Sequence, residues 1–155
     1  MKTIKVGIVG TRRGMSFATG AGEAVGMELV ALCDVDKRKL KETAQRLSRP
    51  GNKVAAYTDY DRFLAHDMDA VILANFFHQH APYAIKALEA GKHVMSETAA
   101  CFTLAEGVTL IEAVEKSGRV YMFAENYPYA AHNQEMRRLY RAGAVGEFSE
   151  TGVGI

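Results

Sequence analysis

Short apolar runs alternate along this chain with segments whose apolar residues recur at helical spacing. The runs 4–9, 29–33, 54–57, 70–74, 93–96 and 120–124 have strand length and strand composition. Between them, 36–47 places Leu40, Ala44 and Leu47 on one face and Lys37, Arg38, Lys39, Lys41 and Glu42 on the other, with Asp36 in the N-cap position. The segment 82–90 has Pro82 in its first turn and Gly91 just past its end. A capping-box pattern, Thr103-Leu104-Ala105-Glu106, opens 103–116, and Gly118 closes it. A further amphipathic segment, 132–141, ends at Gly143. The first crossover reads poorly as a helix, because Gly20, Gly22 and Gly26 each lower helix propensity, so a short or loose helix is expected there.

Strands that alternate with helices predict an α/β fold, a doubly wound parallel sheet of about six strands with helices on both faces. The unbroken apolar stretch Ala70-Val71-Ile72-Leu73-Ala74 suits a strand covered on both sides. At 155 residues and 48% hydrophobic content the chain can bury one substantial core, which we assign to 1–145. The tail from Glu147 to Ile155 alternates like the start of another strand, and a strand needs neighbours. Residues 146–155 are therefore expected to begin a second domain, with the chain forming the front part of a longer protein.

Charge and cysteine usage narrow the function. Nineteen basic side chains against 18 acidic ones give a net charge of +1, which offers no overall attraction for nucleic acid or an anionic membrane. The apolar runs are far below the roughly 20 residues that cross a bilayer. Cys33 and Cys101 lie in apolar segments without metal-ligand spacing, and no secretion leader precedes the first run, so a cytoplasmic location is expected.

The candidate chemistry is concentrated near the start. The first run, containing Gly7, meets a basic glycine turn, Gly10-Thr11-Arg12-Arg13-Gly14, and the second ends on Asp34, twenty residues beyond Gly14. That order suits a dinucleotide: a tight turn lets backbone approach the pyrophosphate, and a carboxylate meets the ribose hydroxyls. The glycine signature is imperfect, with Arg12 where a second glycine belongs and Gly14 one position early. Arg12 and Arg13 can reach the pyrophosphate or a 2′-phosphate, or remain solvated. Asp34 repels a 2′-phosphate and favours NAD, while Lys37 and Arg38 keep NADP as the alternative. His78 and His80 form a His-x-His pair with no carboxylate or cysteine nearby to complete a metal site, and no metal is expected.

The blocks 5–10, 31–36, 69–74 and 87–94, in this order, resemble the N-terminal Rossmann domain of the Gfo/Idh/MocA family of NAD(P)-dependent sugar and cyclitol oxidoreductases, over essentially the whole chain. The stretch Ala142-Gly143-Ala144-Val145-Gly146-Glu147 looks like the family's passage into its C-terminal domain. The resemblance implies that Glu97 contacts the nicotinamide ribose region and that His80 holds the family position before a helix. Three departures bear on function. Where the family commonly carries Glu-Lys-Pro, this chain reads Glu97-Thr98-Ala99, and the Thr98 hydroxyl is far too weak an acid to take over a lysine's proton-transfer task. In place of Thr-Pro-Asn stands Asn75-Phe76-Phe77, whose rings either flank a cofactor ring or simply pack. The third is the C-terminal domain, which in the family supplies most substrate contacts and usually the oligomer interface. Asn126, after the sixth run, either touches nicotinamide or substrate or belongs to a polar loop turning at Pro128.

These expectations converge on the nucleotide-binding domain of an oxidoreductase for a sugar, cyclitol or related polyol, incomplete for catalysis as this chain. A sugar-like ligand, and a homo-oligomer, are expected only with the C-terminal domain present. The alternative is a dinucleotide-binding module without catalysis, a sensor or partner-binding domain.

Overall fold

The structure, a computed structural model, describes residues 3–146. Six strands, β1 (Ile4–Val9), β2 (Met27–Cys33), β3 (Ala55–Tyr57), β4 (Ala70–Leu73), β5 (His93–Ser96) and β6 (Tyr121–Phe123), form one sheet in the order β3-β2-β1-β4-β5-β6. Every neighbouring pair is parallel. Helices α1 (Met15–Gly20), α2 (Lys37–Leu47), α3 (Tyr60–Leu64), α4 (His80–Glu89) and α5 (Leu104–Ser117) connect them. The chain divides into two compact units, 1–124 and 125–155, and the sheet lies wholly in the first. The second unit, within the described residues, contains a 3-10 turn (Tyr127–Tyr129) and α6 (Ala131–Arg141), on which Glu135 and Arg138 pair at 2.7 Å. The tail expected to start a strand falls outside the described residues.

Strand periodicity sorts the core into two layers. Val6 and Ile8 of β1 and Ile72 of β4 join Leu40 and Ala44 of α2 on one side, while Val9, Val71 and Leu73 join Phe63, Ala84, Leu88 and Leu110 on the other. Both faces are thus covered, as the continuous apolar runs require. Gly7 points to the second side, where an added Cβ would come within 2.5 Å of Met68 and 2.6 Å of the Phe63 ring. Its lack of a side chain makes room for Phe63, which is fully buried and contributes about 1.5–3 kcal/mol by leaving water.

The helix ends follow local chemistry. Asp36 accepts from the Lys39 amide at 3.0 Å, and Thr103 and Glu106 complete a capping box at the start of α5, which Gly118 ends in the left-handed conformation. α1 is only six residues long, as the glycines after it dictate. α3 was not foreseen. Its five residues are too short for periodicity to register, yet Asp59 caps it through the Arg62 amide at 2.8 Å, and Tyr60, Phe63 and Leu64 are buried. α4 begins two residues earlier than expected, at His80, because a 3-10 turn (Phe77–Gln79) leads directly into it.

Candidate functional site

Strand order reverses between β1 and β4, so the loops after these strands separate and leave a crevice at their carboxyl ends, where open α/β sheets hold their ligands. Gly10 lies at its base with φ +94°, and a Cβ there would meet the Ala74 carbonyl oxygen at 2.3 Å. Only glycine permits this approach of the β1 turn to the end of β4. Gly14 stands just before α1, and its missing Cβ would lie 2.2 Å from the Gly10 carbonyl oxygen and 2.6 Å from Ile8. It supplies the close packing of helix on strand.

Thr11 is fully buried and spends both of its donors on one acceptor: its amide and its hydroxyl each reach Asp34 Oδ2 at 2.6 Å. Asp34 Oδ1 accepts from the Asp36 amide at 3.0 Å. Partial burial pushes the Asp34 carboxyl upward, but the hydrogen bonds from Asp36 and Thr11 together outweigh it and hold the group below the ordinary carboxylate range. The carboxylate at the end of β2 is thus ionised and fixed. Beside it, a cleft of about 560 Å³ is lined by Thr11, Arg12, Met15, Lys39 and Arg46, among others. Lys39, Thr43 and Arg46 stand at i, i+4 and i+7 on α2, a spacing that would have singled out Lys39 ahead of Lys37 and Arg38. Lys37 and Arg38 are exposed outside the cleft lining, and Arg38 lies 3.9 Å from Glu42.

Arg13 leaves the glycine turn in the other direction. Its Nε donates to Glu97 Oε1 at 2.5 Å, so the side chain reaches from the end of β1 to the end of β5, past β4, which lies between them in the sheet. Glu97 is buried, its backbone amide donates to the Leu73 carbonyl at 2.9 Å, and its Oε2 accepts from the Thr98 amide at 3.3 Å. Thr98 itself is exposed.

The loop after β4 forms the remaining wall. Asn75 donates to Gln79 Oε1 at 3.1 Å, and its own Oδ1 is buried without a partner among the described residues. Phe76 and Phe77 are exposed; Phe76 stacks on His78 with centroids 5.9 Å apart, and Phe77 tilts against Phe102 at 5.8 Å. His80 is buried, and its Nδ1 lies 2.8 Å from the Ala99 carbonyl oxygen. A carbonyl can only accept, so Nδ1 carries a proton, and the buried Nε2 has no partner among the described residues. His80 therefore ties the start of α4 to the loop after β5. His66, read as a surface residue from the sequence, is half-buried, with its Nδ1 2.9 Å from the Tyr57 hydroxyl. Among the described residues no group of three or more His, Cys, Asp or Glu side chains is placed to hold a metal. Asn126 belongs to the second unit, where it precedes the 3-10 turn and Glu125 caps the Tyr127 amide at 2.9 Å.

The first unit thus brings Gly10, Thr11, Arg12, Arg13, Gly14, Asp34, Asn75, Phe76, His80, Glu97 and Thr98 to the carboxyl ends of β1, β2, β4 and β5, while Gly7 lies within the sheet. An α-N-acetylgalactosaminidase of Shewanella oneidensis is 31% identical over 156 residues, an alignment covering 95% of this chain and 34% of that enzyme. The chain therefore spans about a third of the curated relatives it matches. The apo scyllo-inositol dehydrogenase of Lactobacillus casei superposes with a TM-score of 0.82 at 26% identity, covering 94% of this chain and 44% of the dehydrogenase. The WlbA dehydrogenase of Bordetella pertussis, solved with NADH and UDP-GlcNAcA, superposes at 0.80 with 25% identity, covering 94% and 44%. The model of the oxidoreductase family Gfo/Idh/MocA, NAD-binding Rossmann fold, matches residues 4–125, and this chain belongs to that family as its NAD-binding domain.

Proposed function

We propose that this domain holds NAD for an oxidoreductase acting on a sugar, cyclitol or related polyol, with NADP as the disfavoured cofactor. The observation that carries the reading is the ionised Asp34 carboxylate at the end of β2, twenty residues beyond the turn at Gly10–Gly14. Two further features fit a dinucleotide: the backbone approach that only a Cβ-free Gly10 allows, and the unpartnered buried acceptor of Asn75. In this reading the glycine turn and Arg12 or Arg13 face the pyrophosphate, and Asp34 accepts from the adenosine ribose. Asn75, Phe76, His80, Glu97 and Thr98 shape the nicotinamide end. The bound nicotinamide would exchange a hydride with a carbon bearing a hydroxyl group. The chain's own residues orient it. The sugar-directed names of the relatives support the substrate class.

A second reading, a dinucleotide-binding module without turnover, is favoured by Thr98, an exposed hydroxyl that cannot take a proton near neutral pH. Calorimetric titration with NAD and NADP tests the cofactor site: saturable binding that prefers NAD and is lost in Asp34→Ala is expected, and binding of neither cofactor refutes the proposal. Formation of NADH with inositols or amino sugars, in a chain joined to a relative's C-terminal part, separates enzyme from module.

A further inference from the structure

We propose that Thr11 is a positioning residue for cofactor choice: it fixes the Asp34 carboxylate where that group accepts an unmodified adenosine ribose and repels a 2′-phosphorylated one. This rests on the reading that Asp34 meets the ribose. Thr11 is buried at the margin of the cleft, and its hydroxyl is given to Asp34, so its effect on a ligand runs through that carboxylate. Its amide and hydroxyl converge on Oδ2 at 2.6 Å each, and the Asp36 amide takes one position on Oδ1 at 3.0 Å. A carboxylate offers roughly four acceptor positions, and the Val35 amide also donates toward this one, so at most about one remains. The ribose would therefore gain at most a single hydrogen bond from Asp34. Discrimination then depends on where the negative charge is held rather than on a bidentate grip.

The surroundings make that position matter. Arg12, Lys39 and Arg46 line the cleft beside Thr11, a setting that by itself would welcome a phosphate, and Glu42 is the acidic side chain of that lining. An Asp34 free to rotate could turn toward these cations and neutralise them, or swing away and leave the cleft to a 2′-phosphate. Pinned from below by Thr11, it can do neither. A threonine is suited to the task because its hydroxyl donates from the same residue whose amide already points at the carboxylate.

The test compares Thr11→Val, which removes the hydroxyl at nearly constant volume, with Thr11→Ser, which keeps it, and with Asp34→Ala. NAD and NADP affinities are measured by calorimetry at one salt concentration, alongside thermal unfolding. Thr11→Val is expected to weaken NAD about tenfold while NADP changes by less than about threefold, so the preference for NAD contracts; Thr11→Ser retains the preference. A Thr11→Val protein that loses affinity for both cofactors equally, or for neither, overturns the proposal when Asp34→Ala does abolish the preference. If Asp34→Ala leaves the preference intact, the reading of Asp34 itself fails, and the role of Thr11 with it. Should Thr11→Val not fold, Thr11→Ala removes the same hydroxyl and keeps the backbone donor, and the same ratio decides.

Discussion

The ion pair between Arg13 and Glu97 joins the ends of β1 and β5, and its unequal burial makes a quantitative prediction. The Glu97 side chain is 10% exposed and that of Arg13 55%. Exposed pairs contribute about 0.2–1 kcal/mol, whereas removing one partner of a fully buried pair costs about 3–5 kcal/mol. A pair with one buried and one half-solvated member falls between these limits, and the cost depends on which partner is removed. Arg13→Met keeps the aliphatic stem and strands a carboxylate in the interior, with an expected loss of about 2 kcal/mol. Glu97→Gln frees a guanidinium that water can reach, for about 0.5 kcal/mol. The double variant leaves no stranded charge and should lose only about 1 kcal/mol, less than Arg13→Met alone, which gives a coupling of about 1.5 kcal/mol.

The assay is urea unfolding of the four proteins, with the urea dependence of stability checked for constancy across the set. Because Glu97 is largely shielded, most of the coupling should survive in 1 M salt, where the Debye length is about 3 Å. A coupling below about 0.5 kcal/mol, or a Glu97→Gln loss larger than that of Arg13→Met, would refute the reasoning from burial.

Other substitutions and titrations follow from the same geometry. Gly7→Ala places a Cβ against Met68 and the fully buried Phe63 ring, and should lower stability by about 1–3 kcal/mol in urea unfolding; a loss under about 0.5 kcal/mol would show that the core yields there. Burial pushes the Cys33 thiol up to about 12, so a thiol reagent at pH 8 should modify Cys101 in the folded protein and Cys33 only after unfolding; equal rates would contradict its placement. Since Cys33 ionises more easily when unfolded, its contribution is complete below about pH 9 and is lost as pH rises toward 12. Asp34 has the opposite sign. Held below its unfolded value of 3.8, it stabilises the fold above that pH and loses this contribution as pH falls through its folded value, a dependence that Asp34→Asn should remove in acid unfolding curves.

How much of this was legible in the sequence depended on the range of the interaction. All six strands were foreseen, because each needs only a local apolar run, and their errors are confined to one or two residues at the ends, as where β2 begins at Met27. The caps at Asp36 and Thr103 were equally local. α3 escaped because five residues leave no period to detect, whereas Lys39 was legible from its helical spacing with Thr43 and Arg46 and was overlooked within a run of three basic residues. The Arg13–Glu97 pair joins residues 84 positions apart, and Thr11 reaches Asp34 across 23. Neither partner carries a local mark of the other, and only the packing of β1 beside β2 and β4 brings them together.

The irregular glycine signature shows how such contacts change the meaning of a motif. Counted from Gly10, the third glycine arrives one residue early, and the second is replaced by Arg12. In the fold, Gly14 nevertheless performs the packing task, since no side chain could stand 2.2 Å from the Gly10 carbonyl oxygen. The turn has contracted by one residue without losing the contact of helix and strand. In it the Thr11 amide is given to Asp34 rather than to a ligand, and two arginines fill the places that follow. A contracted turn with one amide withdrawn has fewer backbone donors to offer a pyrophosphate, and side-chain cations are the physical means of making up that charge. Binding through Arg12 and Arg13 should accordingly weaken with salt more steeply than binding through backbone amides would, so calorimetric NAD affinities between 50 mM and 300 mM salt test the idea. An affinity that is flat over this range would assign the pyrophosphate to the backbone and leave the arginines to Glu97 and solvent.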